Sequence, residues 1–223
     1  MRIDILTLFP EMFAPLKTSL LGKAQEKNAL KINIIDIRDF SLDKHKKCDD
    51  YSFGGGPGML MTPQPIYDAI TSIYGYKKAL KIYMSPKGET LNQPMVKALA
   101  KEKHLIILCG HYEGIDERII DLVIDKEISI GDFVLTGGEI PAMALVDSVS
   151  RYIDGVLGDI ASTEDESFSN GTLEYPQYTR PQTFHGLKVP DVLLSGNHQE
   201  VARWRSEQSK QITQKRRPDL IKK

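Results

Sequence analysis

Two short apolar runs, Leu80–Met84 and Leu105–Cys109, flank a segment NQPMVKALAKEK that carries its own helix punctuation. Asn92 stands where a helix cap is wanted, and Pro94 falls in a first turn, where the missing N–H costs nothing. Short apolar runs bounded by turn or helix signals have the pattern of strands covered on both faces. Strand, helix and strand with short links make a βαβ unit, which commits the chain to an α/β fold with a mostly parallel sheet. Ile3–Phe9, rich in β-branched residues and ended by Pro10, reads as the first strand, and Leu30–Ile37 as the second. Ile115, Ile119, Leu122 and Val123 mark an amphipathic helix, with Asp116 and Glu117 at the positive end of its dipole. Leu145, Val146, Val149, Tyr152 and Ile153 mark another apolar helical face, opened by Pro141.

After Gly158 the pattern changes. ASTEDESFSNGTLEYPQYTRP is polar, rich in turn formers and poorly periodic, as a linker or mobile loop would be. Helical character returns in VLLSGNHQEVARWRSEQSKQI, with Val201 and Trp204 three apart. The expected organisation is an α/β domain over 1–160, a linker over 161–174 and a small, basic, all-α domain over 175–223. At 223 residues the chain is long enough to bury a core without a disulfide or metal staple. The two cysteines, Cys48 and Cys109, lie in no CxxC pair. No apolar run approaches the ~20 residues of a membrane span, and MRIDILTLFPEMF does not read as a signal peptide. A cytoplasmic location is expected.

Lys and Arg number 29 against 30 Asp and Glu, a balance that argues against a polyanionic partner only if the charge is evenly spread. It is not. From Arg203 onward, eight basic residues face only Glu207 and Asp219. Gly155–Glu174 carries Asp159, Glu164, Asp165, Glu166 and Glu174 and no Lys or Arg, whereas Arg38–Lys47 is again basic. Such segments serve as solvated faces or as a nucleic-acid backbone footprint, and composition leaves both open.

Glycine-bearing segments mark where chemistry can sit. FGGGPGML (53–60) has the letters of a dinucleotide loop but no preceding buried strand, and Pro57 lacks a backbone donor; it reads as a flexible or closely packed loop beside a substrate. YMSPKG (83–88), LCGHYEGIDERI (108–119) and SIGDFVLTGGE (129–139) each follow a strand-like run. Ligands of open α/β sheets bind outside the carboxyl ends of strands, so three such loops suit a flat ligand. The five histidines show no zinc spacing, and His111 and His198 read as polar loop residues. Cys109 reads as a small buried hydrophobe, and the acidic stretch Thr163–Phe168 either as solvated linker or as the carrier of a general base.

LTLFPEMF, GGGPGM, CGxYEGIDER, SIGDFVLTGGE, ALVDSVSR, YTRP and LLSGNHxxxxxWR, in that order from residue 1 to about 210, strongly resemble the bacterial tRNA (guanine-N1)-methyltransferase family. That family belongs to the SPOUT superfamily, whose S-adenosylmethionine site is built on a trefoil knot. The resemblance implies methylation of N1 of the guanosine 3′ of the tRNA anticodon, with S-adenosylmethionine as donor, help from a divalent cation, magnesium by the same resemblance, and a homodimer whose sites are shared between protomers. Carried over by position, cofactor contacts would come from Tyr83, Ser85 and Pro86, then Gly110, Tyr112 and Glu113. The third loop would supply Ser129, Ile130, Gly131, Asp132, Phe133, Val134 and Leu135, with Gly137, Gly138 and Pro141 behind it. The resemblance implies a carboxylate that takes the N1 proton and a guanidinium near O6, which falls on Arg151. The family's Asp-Ser-Phe is replaced here by Asp165-Glu166-Ser167-Phe168. Ungapped, the base is Glu166; a one-residue shift selects Asp165. His111 stands where an arginine is common. A non-catalytic RNA-binding protein and a nucleotide hydrolase built on the GGGPG loop are the competing readings.

Overall fold

The computed structural model describes residues 1–157 and 166–221, which fall in two compact units, Met1–Gly158 and Asp159–Lys223. The first is built on a five-stranded sheet: β1 (Arg2–Thr7), β2 (Lys31–Asp36), β5 (Leu80–Thr90), β6 (His104–Cys109) and β7 (Lys126–Ser129), in the order β2-β1-β6-β5-β7. Every pairing is parallel. A separate two-residue ladder joins β3 (Asp49–Asp50) to β4 (Leu60–Met61).

Side chains alternate across the sheet and feed two cores. Ile3, Ile5, Leu105, Ile107 and Cys109 pack on one face with α1 (Ser19–Glu26), α3 (Gln93–Leu99) and α5 (Glu139–Ser150). Leu6, Ile106 and Leu108 pack on the other with α2 (Pro63–Ser72) and α4 (Glu117–Val123). Burial on both sides is why the central strands read as largely apolar runs, interrupted by the buried Asp4 in β1 and Lys81 in β5. Asn92 caps α3 where the sequence puts it, accepting from Met95 N at 3.0 Å, whereas Asp116, expected in the first turn of its helix, is the cap before it and accepts from Arg118 N at 3.0 Å.

Several boundaries differ from the sequence reading. β1 stops at Thr7 because the Thr7 hydroxyl accepts from Phe9 N at 2.9 Å and turns the chain into a 3₁₀ segment, Pro10–Lys17. Leu122 is 67% exposed, so the apolar face of α4 rests on Ile119, with Ile120 and Val123 at its margin. α5 ends at Ser150, short of Ile153, and Arg151 is its C-terminal cap.

In the second unit, α6 (His198–Arg216) begins with Asn197 accepting from Gln199 N and Glu200 N, so His198 opens a helix rather than lying in a loop. Beside the helices sits a two-strand hairpin, β8 (Thr183–Phe184) with β9 (Leu187–Lys188), so the unit is helical but not purely so. Among its described residues none that is apolar is buried, and Thr213 is the buried one. Thr213 donates to Ser209 O at 2.6 Å and accepts from Leu173 N at 2.8 Å, and Ser209 donates to Leu173 O at 2.6 Å. Polar contacts tie the irregular segment to α6 where a core would otherwise do so.

Candidate cofactor cavity and catalytic residues

Because β6, β5 and β7 are parallel neighbours, the chain leaves all three at one edge of the sheet. There they bound a cavity of about 430 Å³, within the range of small-molecule sites. All the cofactor positions implied by the resemblance line it except Gly131 and Asp132, which lie within the third loop but not on the wall. The wall also includes Leu60, Lys87, His111, Glu117, Glu127 and Thr136, which sequence reading missed. Leu60 arrives there because the β4 segment runs beside the second loop, with Glu113 N donating to Met59 O and Met61 N to Gly114 O.

Main chain makes much of this wall. Gly138 N donates to Gly110 O at 2.8 Å, drawing the second and third loops together. A methyl on Gly138 would stand 2.8 Å from Cys109 Cα and 2.9 Å from Gly110 N; one on Gly110 would stand 2.8 Å from the Tyr83 hydroxyl. Glycine is therefore required by close approach at both positions. In the third loop Ser129 Oγ accepts from Gly131 N at 3.1 Å and donates to Gly131 O at 2.9 Å, holding Gly131 at φ 150°. Tyr112 occupies the left-handed region at φ 59°. In the GGGPG segment Gly58 packs against the Glu113 side chain, while nothing stands within 4 Å of a methyl on Gly54, Gly55 or Gly56.

Burial, followed by the charges of Glu127 and Glu117, pushes the Tyr83 phenol up to about 12. It is thus a neutral hydrogen-bonding group at working pH. Burial and then the Glu139 carboxylate push the Cys109 thiol well above its ordinary value, so it stays protonated and acts as packing. Among the described residues no group of three or more His, Cys, Asp or Glu is placed to hold a metal ion. No helix among them is long and apolar enough to cross a membrane.

The two residues implied for catalysis that the structure describes lie in different units. Arg151 caps α5 in the first. Glu166 lines a second cavity, about 420 Å³, with Tyr175, Arg205, Ser209 and Lys210 of its own unit; the Arg205 guanidinium lies 4.7 Å from the centre of the Tyr175 ring. Asp165 lies outside the described residues.

Residues 1–223 match the family described as tRNA (Guanine-1)-methyltransferase TrmD. Proteins named tRNA (guanine-N(1)-)-methyltransferase resemble the whole chain. One from Alkaliphilus metalliredigens is 60% identical over 227 residues, one from Clostridium botulinum 58% over 223, and one from Caldanaerobacter subterraneus 58% over 224. In each case the alignment covers 100% of this chain and 92% of the relative. With a sheet-edge cavity lined by the loops that carry the shared motifs, and a match that runs from end to end, the chain belongs to the tRNA (guanine-1)-methyltransferase family.

Proposed function

We propose that the protein methylates N1 of guanosine 37 of tRNA, in the cytoplasm, as a homodimer whose active site draws on both protomers. In the same reading the cavity loops form a trefoil knot, residues 161–174 act as the linker and 175–223 hold the tRNA. The observation that carries the proposal is the glycine-built wall at the ends of β5, β6 and β7, in a chain that matches the family along its whole length. S-adenosylmethionine fits such a wall: Gly110 and Gly138 leave main chain where any side chain would intrude, so backbone donors and acceptors can approach a flat adenine. Residues from Tyr83–Pro86, Gly110–Glu113 and Ser129–Pro141 would hold it. When bound, it supplies an electrophilic methyl on a sulfonium sulfur.

Neutral guanine carries a proton on N1, so the nitrogen becomes nucleophilic as that proton leaves. Glu166 takes that proton, leaving the N1 lone pair free for the methyl that bound S-adenosylmethionine would supply, its sulfur becoming the neutral thioether. Arg151 faces O6, where negative charge grows as the proton departs, and its guanidinium stabilises that charge. For the divalent cation the described residues offer no ligand cluster, and no step is assigned to it.

The test is methyl transfer to unmodified tRNA with guanosine at position 37, using tRNA with another base there as control. Incorporation at N1 of that guanosine supports the reading; its absence with folded protein and competent tRNA overturns it in favour of a non-catalytic RNA-binding protein. Glu166→Gln lowers kcat about 10²-fold or more, and more than Asp165→Asn does. Equal losses would mean that the register is wrong, and a larger loss in Asp165→Asn would move the base to Asp165. Arg151→Ala lowers kcat with little change in cofactor affinity.

A further inference from the structure

Behind the cavity wall lies a carboxylate that the reaction does not use. Glu139, the first residue of α5, is 2% exposed, and Thr7, at the end of β1, is fully buried. The Thr7 hydroxyl donates to Glu139 Oε1 at 2.8 Å across 132 residues of sequence. The same hydroxyl accepts from Phe9 N, so it donates to one group while accepting from another. The other carboxylate oxygen, Oε2, abuts Gly137, where any added methyl would collide with it; that methyl would also stand 2.9 Å from His111 Nδ1. His111 lines the cavity and pairs with Gly137 in an isolated antiparallel bridge, and its Nδ1 is buried without a hydrogen-bond partner.

A charge-bearing side chain is rarely this deeply buried unless it is partnered. This one sits on the hinge of the site: the third loop ends at Gly138, Gly138 is bonded to the second loop at Gly110, and the next residue is anchored to a third strand. We infer that Glu139 is a positioning residue, and that its bond to Thr7 fixes the third loop against the second in the cofactor-binding arrangement. This rests on the reading of the cavity as the S-adenosylmethionine site. The pair touches no reacting atom and acts through the geometry of Gly110, His111, Gly137 and Gly138.

The experiment measures S-adenosylmethionine affinity by calorimetry, well below the melting temperature, together with amide exchange in the cofactor-free protein. Thr7→Val and Glu139→Leu each remove the bond, and each weakens cofactor binding about tenfold or more. Thr7→Ser and Glu139→Gln keep a donor and an acceptor and stay within about threefold of the parent. The double variant Thr7→Val/Glu139→Leu is no worse than the weaker single, because both act on one bond. Exchange of the Gly138 amide rises in Thr7→Val and returns in Thr7→Ser. Asp4→Asn is the control: Asp4 is buried and bonds His104 and Arg2 at the N-terminal ends of the strands, so the change lowers melting temperature while cofactor affinity holds. Unchanged affinity in Thr7→Val, or affinity that follows melting temperature across all variants including Asp4→Asn, overturns the assignment. If the parent protein binds no S-adenosylmethionine, the functional reading fails instead, and Gly138 exchange still decides whether the bond positions the loop.

Discussion

Two cavities of nearly equal size, about 430 and 420 Å³, are made by opposite means in the two units. The first hangs on a sheet whose faces are both sealed by apolar cores, and close main-chain contacts between glycine-bearing loops set its shape. The second is lined by side chains of α6 and of the segment 166–175, in a unit with no buried apolar residue among those described. A wall of main chain cannot adjust without moving a strand, so it selects by shape. A wall of Arg, Lys, Glu and Tyr side chains on a thinly packed helix can adjust on contact, and under the proposed function it would meet the folded RNA by charge.

That contrast is open to direct attack. The largest effect is expected from Gly138→Ala. The new methyl meets Cys109 Cα and Gly110 N, neither of which can rotate aside, so overpacking of about 1–3 kcal/mol translates to cofactor binding weakened about 5- to 150-fold. Wild-type affinity by calorimetry would show that the first wall yields after all.

Thr213→Val tests the other side. It strips the buried hydroxyl that joins α6 to Leu173, at a cost of about 1–3 kcal/mol. Amide exchange should accelerate through residues 166–221 while β1 and β6 keep their protection. Equal loss in both units would mean that they unfold as one body and that the comparison has no energetic content.

The smallest effect belongs to Asp116, whose carboxylate caps α4 beside the first cavity. Hydrogen bonds from Arg118 hold its carboxyl below the ordinary 3.8, so its contribution is complete above that pH and is lost as pH falls through and below it. Asp116→Ala should therefore cost about 1 kcal/mol in denaturant melts at neutral pH and progressively less in acid. A pH-independent deficit would assign the effect to something other than the charged cap.

Much of the first unit was legible in the chain itself. β1, β5 and β6 stand out because burial on both faces leaves them largely apolar, whereas β2, half-buried at the sheet edge, shows through its partial alternation, and Asn92 caps as its position suggests. α2 escaped notice, although Pro63 opens it and Ile66, Ala69 and Ile70 are buried at helical spacing. Local cues of that kind compete with the turn signal of Pro65. Glycines following apolar runs marked the three loops that line the first cavity, since both features are local. Glu139 gave no such signal: its meaning depends on Thr7, which only the folded sheet brings near. The second unit was the harder to read, because a helix held by hydroxyls rather than by an apolar face leaves no periodic trace, and only Val201 and Trp204, both half-buried, hinted at it.

One irregularity in β5 carries a thermodynamic consequence. Its pairing with β7 breaks after Met84 and resumes at Glu89, and both of those residues are in register with the same partner, Ile128. Ser85, Pro86, Lys87 and Gly88 thus form an arch whose two feet stand on one stone, and Gly88 passes so close to the Glu127–Ile128 peptide that no side chain fits there. An ordinary loop must surrender its wandering when a ligand arrives. This arch has already done so during folding, so a molecule entering the cavity that Ser85 and Pro86 line would not have to order the chain that presents them.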